Sequence, residues 1–142
     1  MTARVRFEDA REGDEIPAFA KVIKRGEVKA YADASGDQNP LHQDDVFAQS
    51  VGFPGIIAHG MFSMAQVTKA VTDWLGDPGA LVRMKVQFRA VVFMDETLIA
   101  RGRIEALDPS TRRARLSIWA EVDRAGGRHL AVKNGVAEVQ LS

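Results

Sequence analysis

From residue 80 onward, apolar and polar positions alternate with period two, the spacing of strands that bury one face. Val82, Met84, Val86 and Phe88 interleave with Arg83, Lys85, Gln87 and Arg89. Thr97 to Leu107 predicts a second strand, closed by the Asp108-Pro109-Ser110 turn. In a third, Ala114, Leu116, Ile118, Ala120 and Val122 alternate with Arg113, Arg115, Ser117, Glu121 and Asp123; Trp119 is the one large apolar residue on the polar side. Ala125-Gly126-Gly127 turns the chain into a last strand, Arg128 to Leu141, whose phase slips at Lys133-Asn134-Gly135 and predicts a bulge there. Short turns between long strands make the neighbours antiparallel.

The first half carries helical spacing instead. Glu27 to Ser35 places Val28, Tyr31 and Ala32 on one face, with Gly36 as the stop. His59 to Leu75 predicts a longer helix ended by Gly76-Asp77-Pro78-Gly79. Its mid-helix polar residues Gln66, Lys69 and Asp73 form a narrow stripe, while Met61, Met64, Val67, Val71, Trp74 and Leu75 cover most of the remainder. A helix apolar around most of its circumference is buried on several sides. One such helix and about five antiparallel strands predict an α+β hot-dog fold, in which the sheet curls around the helix.

With 142 residues, 46% hydrophobic and 27% charged, residues 1–142 are expected to form one globular domain. Nineteen basic residues balance nineteen acidic ones, which argues against a nucleic-acid footprint or a polybasic membrane tether. The absence of cysteine removes disulfides, thiolate metal sites and a thiol nucleophile. No apolar run approaches the ~18 residues of a membrane span, and the expected location is the cytoplasm.

The chemistry concentrates in two short blocks. In Ser35-Gly36-Asp37-Gln38-Asn39-Pro40-Leu41-His42, the Asn39-Pro40 step disfavours helix and forces a corner that brings Asp37 and His42 together. A carboxylate beside an imidazole is a proton-transfer pair; an Asx-type turn with a solvated histidine is the plainer reading. In the second block, Phe53 to Met61, Gly60 opens the buried helix. There its free N–H is suited to an oxyanion and the missing Cβ admits a ligand, or the glycine relieves crowding against the sheet. His59 reads as a structural hydrogen-bonder at the helix entry. Thr68 either faces the same cavity or bonds its own backbone. Asp44 and Asp45 resemble a helix cap before Val46 to Ser50 more than metal ligands beside His42, and no metal-binding spacing is present. The strand arginines read mostly as a solvated face, and His129 as a surface residue.

Tyr31-x-x-x-Ser35-Gly36-Asp37-x-Asn39-Pro40-Leu41-His42, followed by Ile57-Ala58-His59-Gly60-Met61, resembles the signature of the MaoC-like, or (R)-specific enoyl-thioester hydratase, family over essentially the whole chain. Val71 to Gly79 and Val86-Gln87-Phe88 are similar to the catalytic B-type subunit of actinobacterial (3R)-hydroxyacyl carrier-protein dehydratases. The resemblance implies a hot-dog fold, edge-to-edge pairing of two such domains, and reversible hydration of trans-2-enoyl thioesters of coenzyme A or acyl carrier protein. It implies that Asp37 and His42 are the catalytic dyad, that the Gly60 N–H receives the thioester oxygen, and that Asn39 shapes the loop. Thr68 stands where some relatives carry an assisting serine.

Such chemistry requires no metal or redox cofactor. A homodimer is expected, with a heterodimer containing a homologous hot-dog subunit as the variant. Two other readings compete: a structural or acyl-binding subunit supporting a catalytic partner, and an acyl thioesterase.

Overall fold

The computed structural model describes residues 5–142. Five strands, β1 (Phe19–Val22), β2 (Leu81–Phe88), β3 (Thr97–Asp108), β4 (Arg113–Arg124) and β5 (Gly127–Gln140), form one antiparallel sheet in the order β1-β3-β4-β5-β2. Three helices precede β2: α1 (Arg25–Ser35), α2 (Asp45–Ser50) and α3 (Gly60–Leu75). The sheet wraps α3, which touches all five strands, as the hot-dog reading requires.

The inward residues of β4, Ala114, Leu116, Ile118, Ala120 and Val122, are all buried and meet Val67, Val71 and Leu75 of α3 in one core. Each fully buried valine, leucine or isoleucine contributes about 1.5–3 kcal/mol relative to exposure, so this face holds helix and sheet together. Opposite Ile118↔Gly135, the pairing next resumes at Ala120↔Val132, so three steps of β5 oppose two of β4. The extra residue is the expected bulge, with Asn134 in the left-handed region at φ 48°.

Several expectations are corrected. β1 is a fifth strand that no alternation predicts: it has four residues and only half-buries Phe19 and Lys21. Val82 and Phe88 are exposed, because β2 is an edge strand with no neighbour beyond it. On α3, Met61 is exposed and Gln66 is buried, its amide donating to Phe62 O at 3.0 Å. The polar stripe therefore runs through Lys69 and Asp73 but not Gln66. Glu121 is not solvated either: it is buried on the outer sheet face between Arg101 and Arg128. Among the described residues no helix is long and apolar enough to cross a membrane.

A further ion pair fixes the β2–β3 connection. Arg124 grips Glu96 with two nitrogens, at 2.6 and 2.7 Å, donates to Val91 O and lies over the Phe93 ring. Burial opposes ionisation of Glu96, but Arg124 and the Phe93 N–H outweigh it and hold the carboxyl below its ordinary value of 4.5. The stability from this pair is complete above that ordinary value and is lost as pH falls through the lower folded value. Glu96→Gln is expected to cost about 1–3 kcal/mol at pH 7. In urea unfolding the gap from the parent should narrow below about pH 4; a gap constant with pH would show that the carboxylate contributes nothing.

Candidate active site

Helix α1 stops at Ser35 because Gly36 adopts φ 80°, a conformation that costs glycine nothing. The chain then makes an Asx turn, with Asn39 N–H donating to Asp37 Oδ1 at 3.3 Å. Asn39 itself caps the following 3-10 turn, Pro40–His42: its Oδ1 accepts from Leu41 N at 3.0 Å. Asn39 thus holds the loop between Asp37 and His42 through its side chain, and the Asx turn of the plainer reading is present in the backbone.

His42 is half-buried rather than solvated. Its Nδ1 donates to Ile57 O at 2.7 Å, which leaves Nε2 as the lone-pair nitrogen of the neutral ring. Its ring stacks on His59 with centroids 3.8 Å apart. Ligand atoms of Asp37, His42 and His59 all lie within 4.8 Å of one another. That is the one grouping among the described residues close enough to share a cation, and the sequence reading did not foresee it. His42 Nδ1 and His59 Nε2 are each engaged by a backbone carbonyl, of Ile57 and Asp37 respectively.

Gly60 occupies the first position of α3, where a backbone N–H has no intrahelical acceptor. A Cβ there would sit 3.2–3.3 Å from the exposed Phe88 ring, a tight contact consistent with the crowding reading that leaves room for a ligand reading as well. The N–H still borders a cavity of about 290 Å³ whose wall includes His42, Ile57, Ser63, Phe88, Arg89 and Val92. Ser63 was missed from the sequence. It lies on the buried side of α3, among apolar neighbours that mask a single serine.

The other candidates are placed as follows. Thr68 Oγ1 donates to its own helix at Met64 O, 2.9 Å, and contacts Met84 Sδ; it does not line the cavity with His42. Asp44 caps α2 by accepting from Val46 and Phe47 N–H. Asp45 accepts from Ile56 N–H and Arg25, and these two hold its carboxyl below the ordinary aspartate value. Asp45 thereby ties α1 and α2 to the segment that leads into His59 and Gly60. A wider outer groove of about 360 Å³, lined by Arg103, Trp119, Arg128 and Lys133 among others, holds no imidazole or carboxylate to move a proton.

Residues 9–117 match the MaoC like domain. The chain is 33% identical to an (R)-specific enoyl-CoA hydratase of Rhodospirillum rubrum, over 75% of this chain and 74% of that one. It is 32% identical to a 3-hydroxybutyryl-CoA dehydratase of Methylorubrum extorquens, over 82% and 74%. Among solved structures, the (R)-hydratase from A. caviae involved in PHA biosynthesis superposes with a TM-score of 0.84 at 29% identity, over 95% of this chain and 99% of that one. With the motif residues drawn together beside a helix N-terminus, and a domain match over most of its length, the chain belongs to the MaoC-like dehydratase family.

Proposed function

We propose that this protein reversibly hydrates trans-2-enoyl thioesters to (3R)-3-hydroxyacyl thioesters, with Asp37 and His42 as the dyad. The observation that carries the reading is their juxtaposition, with His42 lining a cavity that Gly60 also lines. The neutral tautomer set by Ile57 O gives His42 a basic Nε2. Water held between the pair adds its oxygen to C3, and His42 Nε2 takes the released proton. C2 receives a proton from the Asp37 side, so the pair ends with the protons it began with. Meanwhile the Gly60 N–H, at the positive end of α3, stabilises the enolate-like oxygen. The thioester is carried by coenzyme A or acyl carrier protein.

The unpaired edge of β2, with exposed Val82 and Phe88, supports a homodimer joined sheet to sheet. Purified protein is expected to bleach the enoyl-thioester absorbance of crotonyl-CoA or a long-chain enoyl-CoA. The product is the (3R) alcohol, and the mass by light scattering is twice that of the 15.6 kDa chain. No bleaching with either chain length or with the acyl-carrier-protein thioester would remove the reading. Thiol release from a saturated acyl-CoA would favour a thioesterase.

A further inference from the structure

Both members of the dyad are side chains of a surface loop, and a loop gives poor positional control unless something rigid grips it. Asp37 is exposed, and its local hydrogen bonds run only to Ser35 and Asn39 within the same loop. One residue from outside the loop reaches it and His42 together. His59 lies 22 residues further along the chain at the entry of α3 and is 2% exposed. Its Nε2 donates to the main-chain carbonyl of Asp37 at 3.1 Å, while its ring face lies on His42 at 3.8 Å. The Tyr31 ring closes the other side, edge-on at 4.9 Å.

We infer that His59 is the positioning residue of the dyad, a rigid post that fixes the Asp37 backbone through Nε2–H and backs the His42 imidazole with its ring. This role goes beyond helix-entry hydrogen bonding and rests on the dyad reading above. The geometry sets its tautomer. A carbonyl on Nε2 requires the proton there, which leaves Nδ1 a bare lone pair, and Nδ1 is indeed buried without a partner. The groups facing the ring are the Tyr31 edge, the Asp37 loop, the His42 ring and the positive end of α3. Burial, above all, lowers the pKa of His59, and the neighbouring His42 pushes the same way, against the Asp37 carbonyl and the Asp37 carboxylate. That direction favours the neutral ring, which suits a post that holds its neighbours in place while His42 exchanges protons.

Two substitutions separate the two holds. His59→Phe keeps the ring face and drops the donor; His59→Gln keeps a donor and drops the ring. Each is expected to lower kcat for enoyl-CoA hydration about 10–100-fold with KM within about threefold, the mark of misplaced chemistry rather than lost binding. Nitrogen-15 spectra of the parent should show the neutral His59 ring protonated on Nε2 and not on Nδ1, and His59→Gln should move the His42 ring resonances as the stacked ring is lost. Variants that keep kcat within twofold and lose only thermal stability would overturn the role, as would a neutral His59 that carries its proton on Nδ1. Loss of turnover in Asp37→Asn and His42→Ala, with the His59 variants unaffected, removes His59 alone. Full turnover in those two removes the dyad and this role with it.

Discussion

His42→Ala and Asp37→Asn are each expected to lower kcat/KM for enoyl-CoA hydration by about 10²–10⁴-fold, the range for removing a positioned acid or base. His42 loses Nε2, the nitrogen left basic by the Nδ1 bond to Ile57 O. Asn at position 37 is close in size and can still accept the Asn39 N–H through its side-chain oxygen, so the loop keeps its turn while the ionisable group goes. Fold is unaffected in both, because neither side chain belongs to the buried core. The two losses should not add. Residues that handle one water act as a unit, so the double variant falls about as far as the worse single one. Additive losses would mean that Asp37 and His42 serve separate steps. Retained turnover in either would mean that the juxtaposition is structural. The steady-state rate of crotonyl-CoA bleaching at saturating and limiting substrate decides between these outcomes.

What the sequence made legible was what is local or periodic. Asp37, Asn39 and His42 share one eight-residue corner, and the glycine and proline that shape it are visible to anyone reading in order. The long strands announce themselves by alternation, and even the bulge at Lys133-Asn134-Gly135 shows as a slip of phase. Contacts between distant segments left no such mark. His59 meets the Asp37 carbonyl across 22 positions and Arg124 meets Glu96 across 28, and no periodicity joins either pair. Sheet position was hidden as well: β2 alternates like a buried strand, yet Val82 and Phe88 are exposed because nothing pairs with its far edge. Four-residue β1 is too short for a period of two to stand out. For Gly60 the sequence left two reasons open, and nothing in the sequence announced that the Phe88 ring, 28 positions on, lies 3.2–3.3 Å from where its Cβ would be.

Gly135→Ala is expected to be the most destabilising of the glycine-to-alanine changes among the described residues. At this bulge β5 presses so close to β4 that an added Cβ would lie 2.4 Å from Ile118 O and 2.6 Å from Ile118 Cγ1. The first of these is backbone, which cannot rotate away, and Ile118 is itself a buried residue of the core beneath α3. Relief requires parting the β4–β5 pairing, whose two strands run side by side from Arg113 to Arg124. Overpacking of this kind costs about 1–3 kcal/mol and more when backbone must move, so about 3 kcal/mol is expected. For a chain of this length that is a fall in Tm of about 10 °C. Gly26→Ala is the matched control: its Cβ meets nothing within 4 Å and lies in the first turn of α1, where alanine is the better helix former by up to about 1 kcal/mol. Opposite signs for the two glycines, read by thermal unfolding under one set of conditions, would locate the effect in the β4–β5 contact. Equal shifts would assign both changes to the unfolded chain, where losing a glycine acts alike at any position.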